Sequence, residues 1–154
     1  MKVYIDADAC PREAKEALYK ATERLKIDLV LVANQYIQVP SKSHISCLVV
    51  PAGPDIADDK IVELCQPGDL VITSDIPLAD RIVKKGALGL DSRGKVFDER
   101  NIANRLATRD LLDELRGSGI DTGGPPPYSA RDRQTFINSL DRLLTKLLKE
   151  KGQQ

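Results

Sequence analysis

Five short aliphatic runs alternate with helical stretches along the first ninety residues, and this alternation limits the folds open to the chain more than any other feature. The runs are Lys2–Ile5, Asp28–Ala33, Ile45–Val50, Leu70–Thr73 and Leu88–Leu90. Each is rich in Val, Ile or Leu and is bounded by Pro, Gly or Asp, the pattern of a buried strand. Between them, Pro11–Leu25 places Ala14, Ala17, Leu18, Ala21 and Leu25 at helical spacing. Asp55–Cys65 and Pro77–Lys85 also read as helices, with Gly86 in the place of a C-cap residue. Strands joined through helices predict βαβ units, a parallel sheet and right-handed crossovers. The expected fold is α/β, a Rossmann-like three-layer sandwich.

The texture then changes. A helix is expected over about Glu99–Leu115, followed by the loop Gly117–Ala130 with Gly123-Gly124 and three consecutive prolines. A last helix follows over Ala130 to Lys149, with Ser129 as its N-cap. Phe136, Ile137, Leu140, Leu143, Leu144, Leu147 and Leu148 form one stripe on that helix, predicted to pack on the chain's own core. The length of 154 residues fits one domain, taken as residues 1–150, with 151–154 a disordered tail. No repeat or second domain is visible.

Composition narrows the function classes. Apolar content of 42% and charged content of 30% are ordinary for a globular protein, and no apolar run reaches the length of a membrane span. The N-terminus lacks a secretory pattern, so a cytoplasmic protein without a membrane partner is expected. Cys10, Cys47 and Cys65 are odd in number and widely spaced, which fits neither a disulfide framework nor a zinc site. Cys10 precedes a helix start, where a thiol can become reactive, but with no partner nearby the buried structural role is preferred. Net charge is zero overall, yet residues 1–99 carry 13 basic and 16 acidic side chains and residues 100–154 carry 10 and 7. An acidic first part beside a basic last part suits a metal site acting on a phosphodiester.

The acids fall where such a sheet collects ligands, outside the carboxyl ends of its strands. Asp6 follows Val-Tyr-Ile directly, so its carboxylate needs a cation or hydrogen-bond donors to offset desolvation. Asp8 stands two residues on and serves either as a turn residue or as an accessory acid. Asp55, Asp58 and Asp59, at i, i+3 and i+4, share one face of a helix start, with Asp55 in the N-cap position. Asp58 and Asp59 are open between a solvated helix start and metal ligation. Asp75 is either the cap of the helix opened by Pro77 or a second ligand beside Asp6. Asp80 and Asp91 rank behind these. Arg131, Arg133 and Lys42 are possible phosphate contacts, Gly123 and Gly124 can bring backbone N–H groups close to an anion, and Tyr128 can stack on a base.

Ile-Asp6-Ala-Asp8, Ile-Ala-Asp58-Asp59-Lys-Ile and Val-Ile-Thr-Ser-Asp75-Ile-Pro-Leu-Ala resemble, in that order, the acidic signature of PIN-like and NYN-type nucleases. Asp-Ala-Cys-Pro near the start and Thr122-Gly-Gly-Pro-Pro-Pro-Tyr-Ser-Ala-Arg-Asp132-Arg133-Gln near the end are similar to the bacterial YaiI/YqxD family over nearly the whole chain. The PIN-like resemblance implies a parallel sheet whose acids bind Mg²⁺ or Mn²⁺ and hydrolyse RNA or DNA. By position it makes Asp6, Asp59 and Asp75 the metal-binding, catalytic acids, with Asp58 the alternative to Asp59. Asp8 becomes accessory, and Asp80 or Asp91 stands for a fourth acid. Neutral net charge disfavours tight binding to long duplex, so RNA is preferred as the partner.

Two other activities fit parts of the pattern. A haloacid-dehalogenase-type phosphatase would use Asp6 and Asp8 as nucleophile and acid, but Asp58-Asp59 precede Thr73-Ser74 and Lys84, the reverse of the order that chemistry needs. A non-catalytic PIN-like module that binds nucleic acid or protein would keep the acids for folding or metal binding alone. A plain α/β scaffold acting through its basic C-terminal helices is the remaining reading.

Overall fold

A computed structural model describes residues 1–152. Six strands form one sheet: β1 (Lys2–Asp6), β2 (Asp28–Ala33), β3 (Ile45–Val49), β4 (Leu70–Ile72), β5 (Leu88–Leu90) and β6 (Val96–Phe97). Their order is β3-β2-β1-β4-β5-β6, with β1 to β5 parallel and β6 antiparallel to β5. Among the described residues the five α-helices are α1 (Arg12–Leu25), α2 (Ile56–Leu64), α3 (Ile76–Lys84), α4 (Ile102–Gly117) and α5 (Ala130–Gly152), and a single 3-10 turn spans Ala7–Ala9. The arrangement is a Rossmann-like three-layer α/β fold.

The pleat divides the core. Val3, Ile5, Leu29, Leu31, Leu70 and Ile72 point to the face covered by α1 and α5, where they meet Ala14, Leu18, Phe136, Leu140 and Leu144. Tyr4, Val32 and Val71 point the other way, against Ile61 of α2, Leu78 and Ile82 of α3, and Ile102 at the start of α4. The central strands are buried on both faces, as a parallel sheet requires, whereas Ser46 and Val49 on the edge strand β3 are exposed. The stripe predicted on α5 is the one that packs here: Phe136, Leu140, Leu143, Leu144 and Leu147 are buried, with Ile137 and Leu148 partly so.

Local chemistry sets the helix ends. Ser129 Oγ accepts from the Asp132 N–H at 3.1 Å while Asp132 Oδ2 accepts from the Ser129 N–H at 3.0 Å, a reciprocal capping box at the start of α5. Gly86 has φ of 92°; its N–H and that of Ala87 donate to the carbonyls of Val83 and Ile82, closing α3 in a Schellman motif. Four expectations are corrected. Asp55 stands at the start of α2 with φ of 62°, but its side chain makes no capping bond. α4 begins at Ile102 rather than Glu99, because Asp98 Oδ1 accepts from the N–H groups of Arg100 and Asn101 and holds a turn there. β6 has no counterpart among the strands expected from the sequence. The expected tail starts at 151, yet Lys151 and Gly152 belong to α5; residues 153–154 lie outside the described residues.

Candidate acidic site at the switch point of the sheet

The strand order reverses between β1 and β4, since β1 leads to β2 on one side and β3 returns through α2 to β4 on the other. In open sheets this crevice, outside the carboxyl ends of the strands, is where ligands bind. β1 ends on Asp6. By the two-residue alternation, its side chain lies on the face of Tyr4, the α2 and α3 side. Ile5 pairs with Ile72, so Thr73, just past the end of β4, comes beside Asp6. The Asp75 N–H donates to Thr73 Oγ1 at 3.0 Å, and Asp75 Oδ1 caps α3 by accepting from the Leu78 N–H at 2.9 Å. Asp58 enters from the first turn of α2.

The charge of Asp75 acts on both Asp6 and Asp58. Burial raises the Asp6 carboxyl above the ordinary carboxylate range, and the charges of Asp75 and Asp8 add to the rise, while the Thr73 hydroxyl acts the other way. Asp58 is pushed up to about 6, first by burial, then by Asp75, Asp6 and Asp55, against a lowering by Arg81. Asp8 belongs to the frame: its Oδ2 accepts from the Asn34 N–H at 2.9 Å, tying the end of β1 to the chain leaving β2.

Asp59 turns from this group to Arg81, with Oδ1 2.8 Å from Nη1. Asp80 pairs with Lys84 at 2.8 Å along α3. Asp91 is buried in the β5–β6 turn, where its Oδ1 accepts from the N–H groups of Arg93 and Lys95. Among the described residues, no three His, Cys, Asp or Glu side chains stand together as a ready-made metal cage. The acidic cluster is therefore looser than a closed ligand set, and its donors are all carboxylate oxygens.

The loop before α5 is latched to the same edge of the sheet. The Tyr128 hydroxyl donates to the Ser92 carbonyl at 2.8 Å, and burial pushes its phenol up to about 12, which keeps it a neutral donor. Arg93 joins the latch at three points: Nη2 to the Pro126 carbonyl at 2.6 Å, Nη1 to Asp132 at 2.7 Å, and the guanidinium 5.8 Å from the Tyr128 ring centroid. A cavity of about 10 Å³ lined by Asp6, Cys10, Thr73 and Ser92 separates latch from acids. Tyr128 is thus committed to holding the loop. The Gly123 N–H donates to Asp121 Oδ1 at 2.8 Å, within its own turn, and Gly124 is exposed. Arg131 is exposed and Arg133 half-buried in the first turns of α5, while Lys42 pairs with Glu23 at 3.2 Å. Burial pushes the Cys10 thiol up to about 12, the setting of a structural rather than a reactive cysteine. Thr73 and Arg93 carry no sequence signal of their own; only the strand register and the folded loop give them roles.

Fold and site together define a Rossmann-like α/β protein with an acidic cluster at its topological switch point. A family model described as "Uncharacterized BCR, YaiI/YqxD family" matches residues 4–146. The chain belongs to the YaiI/YqxD family. It is 53% identical over 146 residues to a UPF0178 protein of Burkholderia cenocepacia, covering 95% of this chain and 97% of that one. Similar relatives are UPF0178 proteins of Stutzerimonas stutzeri, 55% identical over 96% of this chain and 97% of the relative, and of Maridesulfovibrio salexigens, 51% identical over 96% and 98%. No solved structure matches the chain. Among the described residues, no helix is long and apolar enough to cross a membrane.

Proposed function

We propose that the chain is a PIN-like, divalent-metal-dependent phosphodiester hydrolase that acts on nucleic acid, RNA in preference to DNA. The observation that carries this reading is the convergence of Asp6, Asp58 and Asp75 on one crevice, close enough that Asp75 raises the pKa of both others. Carboxylates held against mutual repulsion at a strand-end crevice are a costly arrangement for a scaffold and a useful one for a cation. The donor chemistry fits a hard dication. Mg²⁺ commonly keeps several waters and takes only one or two carboxylates together with substrate phosphates, so a loose cluster suffices.

In this reading Asp58 takes the place that the PIN-like pattern gives to Asp59, because Asp59 is engaged by Arg81. Asp6, Asp58 and Asp75 would hold Mg²⁺ or Mn²⁺, which when bound would supply Lewis acidity toward a water and the phosphate. Asp75 is held by its bond to α3 and by Thr73, which presets its carboxylate before any ligand arrives. Thr73 positions Asp6 and Asp75 relative to each other. Asp8 keeps the ends of β1 and β2 together beneath them.

A non-catalytic binding module is the second reading, favoured by the absence of a closed ligand set among the described residues. The two part in one assay. Wild-type protein with Mn²⁺ should cleave a labelled oligoribonucleotide, and Asp6→Asn should not while keeping its far-UV spectrum. Cleavage by Asp6→Asn at the wild-type rate would refute the site, and binding without cleavage by the wild type would favour the module.

A further inference from the structure

A groove of about 380 Å³ lies along α4, bordered by the first residue of α3, and none of the acids of the crevice lines it. Ile76, the residue after Asp75, lines it together with Lys95, Arg105, Thr108, Arg109, Leu112 and Arg116. Arg105, Arg109 and Arg116 stand at i, i+4 and i+11, which places them along one face of α4 over about 16 Å at the ordinary helical rise. Lys95 is exposed and makes no ion pair among the described residues. The Arg105 guanidinium lies 5.3 Å from the Phe97 ring centroid, and its buried Nε has no hydrogen-bond partner. Arg105 makes no ion pair among the described residues, so its charge is held over the ring and not by a carboxylate. The acids near the row are Asp110 and Asp113: Arg109 approaches both, at 3.2 and 3.1 Å, and Arg116 shares Asp113 at 2.9 Å while its Nε donates to Thr122. These are exposed pairs, which contribute little and yield readily to a competing anion.

We infer that this groove binds the sugar-phosphate backbone of a single nucleic-acid strand and leads it to the acidic crevice. The inference rests on the hydrolase reading for its substrate class and adds the path of the strand. Four cations face the groove and no acid lines it, so an anionic ligand is favoured. Arginine predominates, and its planar fork matches phosphate oxygens. One row of cations on one helix meets one line of phosphates, which selects a single strand over a duplex. Ile76 gives the sugars and bases an apolar rim beside the crevice.

The test is fluorescence anisotropy of a labelled oligouridylate in EDTA, so that neither metal nor cleavage contributes. Four phosphate contacts predict a slope of log affinity on log salt of about −2.8, or about 50-fold weaker binding at about 200 mM than at about 50 mM salt. Arg109→Gln/Arg116→Gln removes two contacts and should cut that loss to about 7-fold while weakening binding at low salt. Arg105→Gln tests the orphaned donor, but its packing on Phe97 makes the double variant the safer measure of the groove. Wild-type affinity and salt slope in the double variant, tighter binding of a duplex of equal length, or equal competition by polyglutamate would each overturn the inference. Groove-dependent binding without Mn²⁺-dependent cleavage would instead overturn the hydrolase reading and leave the groove standing.

Discussion

Replacing Asp58 by asparagine should make the metal-free protein more stable at neutral pH. Asp58 is raised from 3.8 to about 6, by burial first and then by Asp75, Asp6 and Asp55. A rise of about two units corresponds to about 3 kcal/mol at full weight, and its partial exposure reduces this to about 1–2 kcal/mol. The opposing benefit of an acid in the first turn of α2 is typically about 0.3–1 kcal/mol, so repulsion and desolvation win. A folded-state pKa above the unfolded one means that the folded chain keeps its proton where the unfolded chain has lost it. The stability tied to that proton is complete below about pH 4 and is lost as pH rises through about 6. The asparagine side chain carries no charge at any pH, so the variant should gain about 2–8 °C in melting temperature at pH 8 and almost nothing near pH 4. Calorimetry from pH 4 to 8 in EDTA reads this directly. A variant less stable than wild type at pH 8, or a difference independent of pH, would refute the electrostatic account of the site.

Other consequences follow from packing and capping. Ser129→Ala removes one half of the capping box and should cost about 1 kcal/mol in urea unfolding, with little change in slope. Gly94→Ala should cost more, about 1–3 kcal/mol: φ there is 93°, and a Cβ would stand 2.6 Å from Thr135 Cγ2 and 2.9 Å from its backbone. Cys10 should resist iodoacetamide at pH 8 in the native protein and react at once in denaturant, as followed by peptide mass spectrometry.

Much of the frame is legible in the chain because the aliphatic runs are short, Val- and Leu-rich and punctuated by Pro, Gly and Asp. β2 and β5 fall at the residues expected, and the other strands differ by about one residue at an end. β6 escapes because its two residues show no period, and the buried Asp91 turn that pairs them with β5 resembles any polar loop. The cap roles of Asp75 and Ser129 are local and could be read from spacing. The choice between Asp58 and Asp59 could not, since both stand in the first turn of one helix, and the residue that divides them, Arg81, lies on another. Arg93 is equally silent: its partner Asp132 is 39 residues away, and only the fold brings them together. The surplus of basic residues after position 99 was visible as a number. That surplus does not lie on α4, whose three arginines are matched by Asp110, Asp113 and Glu114; the place of those arginines beside Ile76 follows only from the packing of α3 on α4.

The central claim is that Asp6, Asp58 and Asp75 form a site for a divalent cation, and a thermal-shift titration with Mn²⁺ tests it most directly. Binding to the folded state alone must raise stability, by about 2.7 kcal/mol at about a hundred times the dissociation constant. The wild type should therefore gain about 5–11 °C, and the Asp6→Asn/Asp75→Asn double variant should show no gain. An equal rise in both proteins, or none in either at millimolar Mn²⁺, would contradict the claim.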